Sequence, residues 1–474
     1  MKQSRAHSLD ALRGYAIMTM ILSATEAFCI LPRWMYHAQV PPPNHIFTPT
    51  IFGITWVDLI FPFFLFSMGA AFPLSLGRQY AKGVSKAELC YKSVLRWLKL
   101  CFFAIYIQHL FPFMLGYSNP KIGYIVAFCG FLLMFPMFMK SPFHIKKPWS
   151  TVINGICYLI GFAWIYFQPY QNGKPFSLND TDIIILILAN VAVVGSIIYV
   201  YTMNNVHARL AVLPILLGII LSAGTDGSWA KAVMDFSPLK WLYEFRFLEY
   251  LLIIIPGTIA GDLLSNWLNE KNADNDDQQT AKLQSKDNRH VAVAMVLCLL
   301  LIITNLVCLY NRFMVANLFI SGAIIATLHF LLKSEDGDMR FWHKLYTYGA
   351  YLLMLGLCFE AFQGGIRKDD VTVSYLLVTS GLAFFALIFL SIVCDYYHCK
   401  LVSLPLEMIG KNPMIAYVSD SLVVIPLLML TGIYDLFTMM DHNPWLGFLK
   451  GIILTALCML VTTLCTKLKW FWKT

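Results

Sequence analysis

Apolar runs long enough to cross a bilayer recur along the whole chain, separated mostly by short polar loops. A transmembrane helix needs roughly 17–25 apolar residues. Runs near that length lie at 14–32, 55–77, 93–113, 121–139, 151–168, 183–202, 208–223, 247–266, 291–310, 314–332, 345–363, 374–394, 412–431 and 446–466. The pattern predicts an all-α polytopic transmembrane helix bundle of about 11 to 14 spans, because the runs near 208–223 and 314–332 have very short connections and suit re-entrant segments. Two longer polar stretches interrupt it. Residues 269–290 form a mixed-charge, aromatic-free linker, expected on the cytoplasmic side, between a half at 1–268 and a half at 291–474. Residues 222–247 carry Trp229 and Trp241 and suit a membrane interface. No internal repeat is visible.

Composition agrees with that pattern: 58% of the residues are hydrophobic and 13% charged, more apolar surface than a soluble core requires. The polar, basic N-terminus lacks a cleavage signature, so the first helix is expected to remain as an anchor. The cysteines sit mostly inside apolar runs without a CxxC pair, which points to buried small hydrophobes and to neither metal nor disulfides. The net charge of +8 reports topology and no nucleic-acid partner, since the basic residues lie in short loops. With both termini cytoplasmic, most Lys and Arg fall inside, the densest group being Arg78, Lys82, Lys86, Lys92, Arg96 and Lys99. The loop carrying His37 and His45 then faces outward.

That loop joins two spans that each bring an acid. Ionisable groups at membrane depth are costly and are therefore functional candidates. Glu26 is expected on the outward half of the first helix, and Asp58 opens the second span. A histidine here can serve as general base or as nucleophile, with a carboxylate fixing its tautomer. The alternative is a solvated histidine beside carboxylates that cap helices.

Elsewhere, Asp10 and Arg13 stand three residues apart at the predicted cytoplasmic mouth of the first helix. Arg13 is either a phosphate ligand or a headgroup anchor. Asn412 precedes Pro413 as a natural helix cap, and Asp420 lies two turns deeper. Glu249, Asp262 and Glu360 are further acids at membrane depth, and the small residues of PGTIAG suggest close helix packing.

RAHSLDALRGYAIMTMIL, WMYHA and ITWVDLIFPFFLFSMGAAFPLSLGR, with the later GKNPMIAYV, resemble the heparan-alpha-glucosaminide N-acetyltransferase family of transmembrane acyltransferases, especially its bacterial members. The resemblance implies an acyltransferase of the bacterial inner membrane. It would take acetyl from cytoplasmic acetyl-CoA and pass it to an amino sugar or glycan acceptor outside, with a homodimer as a further implication. The family's catalytic histidine corresponds to His37, with Ala38 after it. Glu26 stands where the family has an asparagine, exchanging a neutral positioning group for a proton acceptor. The segment QVPPPNHIFTPTIFG is longer than usual and offers His45 as an alternative; His37 keeps the local context. The expected site is therefore His37, Glu26 and Asp58 for catalysis, Trp34 and Trp56 as sugar-stacking candidates, and Arg13, Asp10, Asn412 and Asp420 toward acyl-CoA. The rival expectation is a proton- or ion-coupled secondary transporter using the buried acids.

Overall fold

The computed structural model describes residues 6–27, 30–139, 149–274, 288–333 and 337–472, so most of the polar linker, 275–287, lies outside the described residues. Regular structure among them is helical, with only isolated β-bridges besides. The main helices are α1 (His7–Thr25), α2 (Trp56–Ala81), α3 (Lys86–Leu110), α4 (Pro120–Phe138), α5 (Trp149–Tyr166), α6 (Ile183–Thr202), α7 (Val206–Ser222) and α8 (Phe245–Lys271). The second half supplies α9 (Arg289–Asn311), α10 (Met314–Leu332), α11 (Gly337–Phe362), α12 (Val373–Tyr396), α13 (Lys400–Gly410), α14 (Pro413–Thr431) and α15 (Pro444–Lys467).

All fourteen apolar runs are helices, and eleven of these are long and apolar enough to cross a membrane. The exceptions have physical causes. Charged residues interrupt α1 and α3, and α7 has only 17 residues. The architecture is that of an integral membrane protein.

Burial separates core helices from lipid-facing ones. The apolar stretches of α12, α8 and α2 are 94%, 89% and 72% buried, whereas that of α5 is 17% buried. Glycine lets α2 and α8 approach closely. A Cβ on Gly257 would lie 2.4 Å from the Phe66 carbonyl oxygen, and one on Gly69 would lie 2.4 Å from that of Ile254. The small residues of PGTIAG thus form a packing seam. Another close approach locks α1 to α13, with Gly14 against Leu406 and Gly410 against Asp10.

One expectation needs correction. The apolar run at 14–32 predicts a helix to residue 32, but α1 ends at Thr25 and Glu26 is extended (φ −67°, ψ 160°). The reason is local satisfaction of backbone groups outside the helix. The Tyr36 hydroxyl donates to the Ala27 carbonyl at 2.6 Å and accepts from the Leu31 amide at 3.1 Å.

Candidate functional site

The start of α2 builds the site. Thr55 and Asp58 form a reciprocal capping box, in which the Thr55 amide donates to Asp58 Oδ2 at 2.9 Å. The same carboxylate has a second use. Its Oδ1 lies 2.6 Å from His37 Nδ1, and Oδ2 also accepts from the Ala38 amide at 3.3 Å. Asp58 is buried while His37 remains 34% exposed, so the anion is held by fixed donors and the imidazole faces open space. The helix cap and the contact with His37 thus share one carboxylate.

A third member comes from the loop before α12. Lys368 Nζ lies 3.1 Å from His37 Nε2 and 3.3 Å from Nδ1. The two ring lone pairs diverge, so one ammonium cannot align with both. Opposite charges therefore flank a single imidazole, with Asp58 at Nδ1 and Lys368 close to both ring nitrogens.

This loop is clamped to the His37 loop. Gln39 Nε2 donates to the Asp369 carbonyl at 2.9 Å, and the Asp369 amide donates to Gln39 Oε1 at 2.8 Å. Gly53 N donates to Ile366 O at 2.8 Å, and Arg367 Nη1 donates to Pro49 O at 3.1 Å. The Tyr375 hydroxyl on α12 binds the Asp58 carbonyl at 2.7 Å. Gln39, Lys368 and Tyr375 were not singled out from the sequence. The only hint was the polar IRKDD segment, whose partner lies more than three hundred residues away.

The remaining candidates are dispersed. Glu26 is buried at the end of α1 against Gly451 of α15, and neither of its oxygens has a hydrogen-bond partner among the described residues. His45 packs edge-on to Tyr36 with ring centroids 4.7 Å apart. Trp34 is exposed, whereas the Trp56 indole nitrogen is buried. Arg13 donates to the carbonyls of Gly410 and Ser67 at 3.4 and 3.3 Å and lies 3.8 Å from Asp10. It ties α1 to α2 and α13. Asn412 donates to the Trp470 carbonyl at 2.8 Å and holds the C-terminal segment. Asp420 begins a π-helical turn within α14, with Oδ1 buried.

Three of the six residues of the predicted basic cluster, Lys92, Arg96 and Lys99, line a cavity of about 340 Å³ between α2, α3 and α6, beside Ser75, Gln79 and Ser196; Arg78, Lys82 and Lys86 do not. Arg96 and Lys99 have no carboxylate partner among the described residues. From Asp58 to Phe72, on the cavity wall, is fourteen residues, or ~21 Å along α2 at 1.5 Å per residue. The cavity and the dyad thus lie toward opposite ends of one helix.

A family model described as a domain of unknown function, DUF5009, matches residues 5–264. The chain belongs to the DUF5009 family. The DUF5009 match contains the dyad and the basic cavity but not the loop that supplies Lys368. A search of curated proteins found no match.

Proposed function

We propose that this protein is a membrane-embedded acyltransferase that takes an acetyl or other acyl group from cytoplasmic acyl-CoA and gives it to an amino sugar or glycan on the outer side. The observation carrying this reading is the His37–Asp58 pair at 2.6 Å. With Nδ1–H directed at the carboxylate, Nε2 is left as the basic nitrogen.

In the proposed reaction the acceptor's nitrogen or oxygen attacks the thioester carbonyl while its proton passes to His37 Nε2. The carbonyl electrons move onto oxygen and return as the carbon–sulfur bond breaks. The proton on His37 then neutralises the departing thiolate. Lys368 supplies a cation beside the developing oxyanion, and Asp58 steadies the imidazolium. An acyl-histidine route would place the same acyl group on Nε2 first.

The basic cavity suits the donor's phosphates, leaving the acyl arm to run along α2 toward the dyad. Two of the acids on which a transporter reading would rely are already paired, Asp262 with Arg209 at 2.6 Å and Glu360 with Arg312. The test is purified protein with labelled acetyl-CoA and a panel of amino sugars and glycans. Transfer that disappears in His37→Ala is expected. No transfer by the wild type to any acceptor, with a proton-coupled flux intact in His37→Ala, would sink the reading.

A further inference from the structure

A second cavity, of about 430 Å³, opens beside the dyad, behind the 363–372 loop. His37 and Lys368 are not among its lining residues, whereas Arg367, Asp369 and Asp370 from that loop are. Its inner wall comes from the start of α8, where Arg246, Phe247, Glu249 and Tyr250 line it.

Glu249 sets the chemistry. It is only 8% exposed, it lines the cavity, and its side chain forms no hydrogen bond or ion pair with any described residue. A buried carboxylate without a partner is costly. Of the cations lining the cavity, Lys231 pairs with Asp226 and Arg246 with Asp235 at 3.6 Å, while Arg367, which donates to the neutral Pro49 carbonyl at 3.1 Å, keeps its charge. The side chains of Asp369 and Asp370 add two acids without ion-pair partners among the described residues. Three carboxylates, Glu249, Asp369 and Asp370, against the one charge of Arg367 leave the cavity net negative, and a cation would complete it.

The form of the space selects the kind of cation. Among the described residues, no three His, Cys, Asp or Glu side chains converge to hold a metal ion. A volume of about 430 Å³ also exceeds what a bare ion fills, and Phe247 and Tyr250 provide aromatic wall suited to an organic cation. We infer that this cavity is a binding site for a small organic ammonium compound, with Glu249 as the counter-ion and Asp369 and Asp370 at the rim.

The site is tested by binding alone, with no acyl donor present, so the outcome does not depend on acyl transfer. Full-length protein in nanodiscs is titrated calorimetrically with ethanolamine, with ethylene glycol as the uncharged analogue and calcium chloride as the metal arm. Saturable binding of ethanolamine, absent for ethylene glycol and weakened at least tenfold in Glu249→Gln, is expected. Equal binding of ethylene glycol, binding of calcium alone, no binding by the wild type, or unchanged affinity in Glu249→Gln would each overturn the proposal. Asp370→Asn, at an exposed position, is the second variant should Glu249→Gln not fold. Weaker ethanolamine binding is expected there too, and unchanged affinity would count against the site.

Discussion

Lys368 and His37 stand 331 positions apart in the chain, yet the ammonium of one lies 3.1 Å from Nε2 of the other. Between them they join the loop that precedes α2 to the loop that precedes α12. The imidazole thus stands between a carboxylate and an ammonium group. Lys368→Met keeps most of the side-chain bulk and removes the charge. Under the proposed chemistry it should lower kcat by about 100- to 1000-fold, the range of a lost oxyanion donor, and leave the KM for acyl-CoA near the wild-type value. Steady-state kinetics on both substrates reads this directly.

The choice between the two histidines has a geometric answer to check. His37 has the aspartate, whereas His45 rests on the Tyr36 ring. His37→Ala should reduce transfer by about 10²- to 10⁴-fold, the usual scale for a general base. His45→Ala should retain most of it. Loss of transfer in His45→Ala with activity preserved in His37→Ala would transfer the role.

Asp58 both caps α2 and binds His37, and two variants separate its contribution to stability from its part in the proposed chemistry. Thr55→Ala removes a cap hydroxyl and should cost about 1 kcal/mol of stability with transfer largely retained. Asp58→Asn should cost a comparable amount and also abolish most transfer, because the amide cannot stabilise an imidazolium. Thermal denaturation in detergent alongside the transfer assay distinguishes the two effects.

At the far end of α1, outside the candidate spans, His7 Nδ1 lies 3.0 Å from Glu407, and Lys411 reaches the same carboxylate at 3.2 Å. The hydrogen bond to Glu407 raises the His7 pKa above its ordinary 6.5. Burial pushes Glu407 upward, but His7 and Lys411 outweigh it and hold the carboxyl below its ordinary 4.5. The His7 contribution is complete below pH 6.5 and fades as pH rises through the elevated value; that of Glu407 is complete above pH 4.5 and fades as pH falls through the depressed one. Between those limits the pair stabilises α1 against α13 most. His7→Gln should therefore lower Tm more at pH 5.5 than at pH 8.5. An equal loss at both values would show that the ion pair does not contribute.

Gly14 meets the Leu406 carbonyl so closely that a Cβ would sit 1.9 Å from it. Gly14→Val should destabilise by roughly 1–3 kcal/mol or more through overpacking, lowering Tm and detergent-extracted yield. Gly218, which has open space around it, is the control: Gly218→Ala should leave Tm nearly unchanged.

Much of this molecule was legible in the residue order. Fourteen of the fifteen main helices announced themselves as apolar runs, α13 (Lys400–Gly410) being the exception, because a chain in lipid must satisfy its backbone hydrogen bonds within each segment. Thr55 and Asp58 sit in one turn, so their cap is a local matter, and the pairing of His37 with Asp58 spans only twenty-one residues of one hairpin. The end of α1 was less legible. Hydrophobicity continues past Thr25, and only the Tyr36 hydroxyl, folding back onto Ala27 and Leu31, shows why the helix stops there.

What the sequence determined by itself is the periodic apolar content and the local caps, since both depend on near neighbours. The tertiary structure alone decided which polar groups meet. It brought Lys368 to His37 and set Gln39 against Asp369; it paired Arg209 with Asp262 and Arg312 with Glu360; and it left Glu249 facing a cavity. Arg13 and Asn412, each with a structural and a ligand-binding reading in the sequence, donate to backbone carbonyls of neighbouring segments. Which partner a charged side chain at membrane depth finds depends on how distant helices pack, through contacts such as Gly257 on Phe66 that bring their backbones together.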